Sequence, residues 1–248
     1  MIAFRSFLFN VVFFGGGLVF GLLLLPTLVL PRGAAQWGLR AWAKTMFFFL
    51  RWIVGLDWEV RGRENLPAEP CIIASKHQSA WETGVFHQIL PDPSYILKQE
   101  LLSIPLFGWV LARGGAIAID RKAGSSALKQ MILFPEGTRS APGKTGTYHP
   151  GVAALYKGLN VPVAPVALNS GLFWQRNGFL KRPGRITIEI LPPIAAGLDR
   201  KVFMAELKSR IEDSSNRLAI EARAAHPAAL PVGVDDGNDN GDAEGADA

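Results

Sequence analysis

The chain has 248 residues, 49% of them hydrophobic, with a formal net charge of +5 and a single cysteine, Cys71. That length suits one sizeable domain and leaves little for a second, and one cysteine excludes an internal disulfide. Residues 227–248 hold six carboxylates and no Lys or Arg, so the rest of the chain carries +11 once those six are set aside from the net +5. A body this basic suits nucleic acid, an acidic cofactor or anionic lipid.

The first element runs from Ser6 to Pro31 without a charged residue. About 20 apolar residues suffice to cross a bilayer, and a cleaved signal's apolar region is only about 7–15 long, so a membrane segment is expected. Gly15-Gly16-Gly17 and Pro26 are positions where it is expected to break into a re-entrant hairpin, as an alternative to spanning. In the next stretch, residues 36–56, Arg40, Lys44 and Arg51 fall within about 40° of one another at helical period, beside Trp37, Trp42, Phe48 and Trp52. A basic stripe flanked by aromatics predicts an interfacial helix on anionic lipid. Positive charge is heavier after the first segment than before it, which puts the rest of the chain on the cytoplasmic side.

From residue 57 the pattern changes to short β-like runs alternating with helical ones. Strands are expected at 57–62, 70–75, 94–99, 115–120, 131–137, 162–168 and 184–191, and helices at 79–90, 106–114, 151–159 and 199–225. On the last helix Phe203, Leu207, Ile211 and Leu218 share a face. The expected fold class is therefore α/β, a layered sheet flanked by helices and preceded by N-terminal membrane helices. The expected organisation is membrane helices over 1–56, one domain over 57–226, and a disordered acidic tail over 227–248.

Between the strand at 70–75 and the helix at 79–90 lies a polar knot, "SKHQSAWE", with His77 and Glu82 five positions apart. Ser79-x-x-Glu82 matches a capping box, in which Glu82 reaches back to the Ser79 amide. The same pair also fits a general base with an orienting carboxylate, placed at a strand's carboxyl end where α/β folds put their sites. From these residues alone both roles stand. Further on, "FPEGTRS" places Gly137, Thr138 and Arg139 directly after a strand, a turn whose amides and guanidinium suit phosphate. Lys98 and Arg121 follow two other strands. The four histidines and one cysteine show no metal-ligand spacing.

Read in order, "HQSAWE" (77–82), "GAIAIDR" (115–121), "FPEGTR" (134–139) and "VPVAPVAL" (161–168) resemble the motifs of the bacterial glycerolipid acyltransferases, in particular those acting on 1-acylglycerol-3-phosphate. The resemblance covers residues 35–225. It implies acyl transfer from acyl-CoA or acyl carrier protein to the sn-2 hydroxyl of lysophosphatidic acid, yielding phosphatidic acid for phospholipid biosynthesis. It also implies a bacterial inner-membrane enzyme with its catalytic domain on the cytoplasmic face. His77 becomes the base and Glu82 the orienting acid, with Lys98, Arg121, Glu136, Gly137, Thr138 and Arg139 binding substrate. No metal or redox cofactor is implied, and the partners are membrane lipids, the lysolipid and the thioester donor. The dispersed cations argue against nucleic acid.

Two departures stand out. Glu82 occupies a position where the family pattern has Asp, a difference of one methylene that a turn can absorb. Only twelve residues, 122–133, separate Arg121 from Phe134, and subtracting the second strand leaves roughly nine where a parallel crossover generally needs about a dozen or more. Two alternatives follow: acyl transfer to another lysolipid, such as a lyso-ornithine lipid, or a membrane-anchored lipid-binding relative inactivated by that shortened segment.

Overall fold

The computed structural model describes residues 1–97, 102–118 and 130–230. Its centre is a seven-stranded sheet with strands β1 (Leu56–Arg61), β2 (Cys71–Ser75), β3 (Pro93–Leu97), β4 (Ile117–Ala118), β5 (Gln130–Leu133), β6 (Val163–Leu168) and β7 (Gly184–Ile190), in the order β1-β7-β6-β2-β5-β3-β4. Every neighbouring pair is parallel except β6 and β7. Helices are α1 (Ile2–Leu23), α2 (Arg32–Phe49), α3 (Trp81–Ile89), α4 (Phe107–Arg113), α5 (Pro150–Leu159) and α6 (Arg200–Ala225).

The β2 sequence explains its place in the middle. Cys71, Ile72, Ile73, Ala74 and Ser75 are all buried, as a parallel strand covered on both faces requires. Alternate residues face opposite layers: Cys71 and Ile73 meet the core that includes Trp81, Phe86 and Ile186, while Ile72 and Ala74 meet Tyr156, Phe203, Leu207 and Ile211. Tyr156 of α5 and Phe203 of α6 stack with ring centroids 3.8 Å apart. The expected apolar face of α6 is thus the one that covers the sheet.

The N-terminal helices join this core. Phe9, Leu50 and Val54 belong to the same buried cluster as Ile73 and Ile188. The glycine run does not interrupt α1. A Cβ at Gly16 would lie 3.1 Å from the Trp42 ring, so the bare backbone makes a seat for that side chain. Pro26 lies in a short 3-10 turn, Leu25–Leu28, that reverses the chain towards α2.

Of the expected basic stripe, Arg40 is drawn to the protein, whereas Lys44 and Arg51 stay exposed. Arg40 donates to the carbonyls of His87, Leu90 and Pro91, closing the C-terminus of α3, and Arg51 faces Asp57 at 3.5 Å. Orphan carbonyls at a helix end attract a guanidinium as well as lipid phosphate does, and here the covalently tethered group wins. Residues 227–230, expected to belong to the tail, pack on the domain: Leu230 is buried and its amide donates to the Leu172 carbonyl. Residues 119–129, which hold most of the short connection, lie outside the described residues. Strands β4 and β5, on either side of that connection in sequence, both run parallel to β3 and flank it.

Candidate active site

Strands β6, β2 and β5 are neighbours, with β6 and β5 each parallel to β2, so their carboxyl ends lie side by side. His77 follows the middle one. Phe134 to Arg139 follow β5, and Asn169 to Gly171 follow β6. Residues 57 to 94 positions away from His77 in sequence therefore meet it at the carboxyl end of the sheet, the crevice where α/β sheets place ligands.

Glu82, in the first turn of α3, is fully buried. Its Oε1 accepts from the Gln78 amide at 2.9 Å, the Ser79 amide at 3.0 Å and the Ser170 hydroxyl at 2.5 Å. Its Oε2 accepts from the Ser79 amide and hydroxyl, both at 3.0 Å. The amides can only donate, so the arrangement suits the carboxylate. Burial pushes its pKa up, and hydrogen bonds from Ser170, Gln78 and Ser79 push back. Glu82 Oε2 also lies 3.9 Å from His77 Nδ1, a buried nitrogen without a hydrogen-bond partner. The capping interaction and the approach to His77 thus coexist on one carboxylate. At 3.9 Å the pair is not yet hydrogen-bonded, and such contacts often tighten only when substrate binds.

His77 is fixed from other sides too. Its ring stacks on Phe134 with centroids 3.9 Å apart, and its carbonyl accepts from the Ser140 amide at 2.8 Å. Burial lowers its pKa to about 3, assisted by the positive charges of Arg139 and Arg176. The imidazole is therefore neutral near pH 7 and has a lone pair to offer. A proton on Nδ1, towards Glu82, assigns that lone pair to Nε2.

The "FPEGTR" turn splits into two jobs. Gly137 adopts φ +66°, and a Cβ there would lie 2.7 Å from the His149 ring, so the turn requires glycine. Thr138 is exposed and Arg139 half-buried. The charges of Arg139 and Glu82 attract, and burial lowers the Arg139 pKa. Glu136 differs from the expectation that it binds substrate. Its carboxylate accepts from buried Lys76 Nζ at 2.7 Å, the Gly146 amide at 2.9 Å and the Ser140 hydroxyl at 3.1 Å. A carboxylate also repels a phosphate, so Glu136 is assigned to the scaffold. Lys98 and Arg121 lie outside the described residues.

Sequence reasoning passed over Ser170, Gln78, Lys76, Glu212 and Arg176. Gln78 accepts from the Gly171 amide at 3.0 Å, joining the β2 and β6 loops. Lys76 Nζ contacts both Glu212 oxygens, at 2.8 and 2.9 Å. Its position beside His77 in "SKHQ" was the available signal. Glu212, one residue past Ile211 on α6, carried none.

An acyltransferase family model matches residues 57–169, which span the sheet from β1 to the exit of β6. A 1-acyl-sn-glycerol-3-phosphate acyltransferase of Pseudomonas aeruginosa is 36% identical, over 91% of this chain and 96% of its own. The same-named protein of Saccharomyces cerevisiae is 28% identical over 77% of this chain and 68% of its own. The crystal structure of the 1-acyl-sn-glycerophosphate acyltransferase PlsC from Thermotoga maritima superposes with a TM-score of 0.71 at 20% identity, covering 88% of this chain and 99% of that one, a likeness of fold. With the motif residues assembled at the carboxyl end of the sheet and a relative matched along nearly its whole length, the chain belongs to the 1-acyl-sn-glycerol-3-phosphate acyltransferase family.

Proposed function

We propose that this protein transfers a fatty acyl chain from acyl-CoA or acyl carrier protein to the sn-2 hydroxyl of lysophosphatidic acid, making phosphatidic acid. The observation that carries this is His77, neutral and wedged between Phe134 and the buried Glu82, with Arg139 acting on it through space. His77 Nε2 takes the proton of the acceptor hydroxyl as its oxygen attacks the thioester carbonyl. The tetrahedral intermediate collapses with cleavage of the C–S bond, and the imidazolium returns the proton to the departing thiolate. Glu82 steadies the positive charge that His77 carries in between. Arg139, with Lys98 and Arg121 in supporting roles, binds the acceptor phosphate, and the chemistry calls for no metal or redox group.

The setting proposed is the cytoplasmic face of a bacterial inner membrane. Helix α1 has 22 residues and is apolar enough to cross a bilayer, and at about 1.5 Å per residue it would be long enough. Its contacts favour lying along the domain instead. Ser6 bonds the Lys181 backbone near one end, and Gly21 packs on Leu106 near the other. Phe4, Phe7, Val11, Phe14, Leu18 and Leu22 remain exposed, a face suited to one leaflet.

The test is transfer from a radiolabelled acyl thioester to lysophosphatidic acid in membranes containing this chain or His77→Ala. Loss of about 10²–10⁴-fold in the variant is expected for removal of a general base. Equal transfer by both, or none by the unaltered chain with either donor, would refute the proposal.

A further inference from the structure

The segment after β6 does more than supply Ser170. It continues into a hairpin closed by the bridge between Trp174 and Lys181, with the Arg182 amide donating to the Phe173 carbonyl at 2.8 Å. Its tip is a tight turn in which Asn177 adopts φ +55° and the Gly178 amide donates to the Gln175 carbonyl. Helix α1 holds this hairpin along one side. Ser6 Oγ accepts from the Lys181 amide at 2.8 Å. Lys181 Nζ lies over the Trp174 ring, 5.4 Å from its centroid, and donates to Asn10 Oδ1 at 2.6 Å. The Phe179 carbonyl accepts from Asn10 Nδ2 at 3.1 Å and from Lys181 Nζ at 3.2 Å. Phe9 and Phe13 meet Trp174 edge-on, with centroids 5.4 and 5.2 Å away.

The backbone of Phe179 is therefore anchored by two donors, yet the residue is 52% exposed. The i−3 and i+4 neighbours of Asn10 on α1 are Phe7 and Phe14, themselves 53% and 70% exposed. Aromatic residues from two elements far apart in sequence thus border one outward surface, and a contiguous apolar patch marks a face that something covers. Charge decides what covers it. Residues 170–188 hold Arg176, Lys181, Arg182 and Arg185 and no Asp or Glu, and Arg176 stands exposed in the turn before Phe179. A second copy of the chain, docked about a two-fold axis, would set these cations against their own kind. An anionic bilayer takes rings at its acyl boundary and arginines among its headgroups.

We propose that the 174–181 hairpin is a second membrane contact, which inserts Phe179 into the interface of an anionic leaflet beside the outward face of α1. This rests on the membrane setting proposed above, with α1 lying along one leaflet. The loop that gives Ser170 to Glu82 leads directly into this hairpin, so docking the hairpin holds that loop beside the lipid.

The experiment uses the full chain with Cys71→Ala and one new cysteine carrying a nitroxide, at Phe179, at Phe14 on α1 or at Val202 on α6. Val202 is exposed, and its neighbour Phe203 packs on the opposite face of the sheet from Phe9. On vesicles of phosphatidylcholine and phosphatidylglycerol, labels at 179 and 14 should be shielded from a soluble nickel complex, while the label at 202 stays accessible. In co-sedimentation, Phe179→Asp should weaken vesicle binding about fivefold, and Phe179→Leu should restore it. Arg176→Gln should weaken binding about fivefold on these vesicles and less than about twofold on phosphatidylcholine alone. A label at 179 as accessible as that at 202, with 14 shielded, would overturn the hairpin contact and leave that of α1 standing. If 14 is accessible as well, the membrane setting of α1 falls with it. Spin–spin broadening between 179 labels would seat a second copy on the patch and overturn the proposal. None of these readouts requires turnover, so they stand apart from the acyl-transfer function.

Discussion

Two buried carboxylate clusters flank His77, and they are built on opposite principles. Around Glu82 the hydrogen bonds come from neutral groups: two amides and two hydroxyls. On the other side, Lys76 Nζ bridges Glu136 and Glu212, with the Tyr148 and Thr145 hydroxyls also on Glu212. Burial and the Glu212 charge push the Tyr148 pKa up, so it stays a donor. Neutral donors solvate an anion without cancelling its charge, and an ammonium cancels it. The first cluster therefore keeps a field that can steady an imidazolium 3.9 Å away, while the second is a rivet joining the β2 loop, the "FPEG" turn and α6.

The harshest way to break this contrast is Lys76→Met, which leaves two buried carboxylates without their ammonium. A loss of about 3–5 kcal/mol in chemical denaturation is expected, with activity falling as the loop shifts. Adding Glu136→Gln and Glu212→Gln should recover most of that stability. A loss well under 1 kcal/mol would show that water screens the cluster. Glu82→Gln comes next, since its amide must face groups that donate. A cost of about 1–3 kcal/mol is expected. Together with it, a fall in kcat of about 10²-fold should follow from losing the charge beside His77. Undiminished kcat would reduce Glu82 to a helix cap.

A pH profile sharpens the comparison further. Among the described residues, Glu82, Arg139 and Arg176 are charged groups that act on His77, and the arginines add to burial in lowering its pKa to about 3. Removing a positive charge favours the imidazolium, so Arg139→Gln should raise the His77 pKa and move the acid limb of kcat/KM to higher pH by about one unit. An unmoved limb would place Arg139 out of effective range. The smallest effect is expected of Ser170→Ala, which deletes one donor among several to Glu82. About 1 kcal/mol of stability and a rate change under about fivefold should result, and a larger rate loss would give Ser170 a role in aligning the base.

Much of this was legible in the chain. The β2 strand, the polar knot and α3 follow from an apolar run ending at a capping box, and the α6 face follows from four residues at helical spacing. The strand expected at 115–120 shrinks to the pair Ile117–Ala118 among the described residues. The rivet was not legible, because its links join residues 60 and 136 positions apart and leave no local pattern. Arg40 misled for a related reason: periodicity shows which face a cation occupies, not whether lipid or the end of another helix meets it.

The way α1 is fastened bears on how this enzyme can be handled. Phe9 lies in the same core as Ile73 and Ile188, and Ser6 and Asn10 hold the strand pair beneath Trp174. Trimming the chain to start at β1, in the hope of a detergent-free catalytic fragment, would strip a wall from the folded body. It would bare Trp174 and leave the buried Lys181 ammonium without Asn10. Solubility is better sought by recolouring the outward Phe4, Phe7 and Val11 with polar side chains while the inward stripe stays as it is.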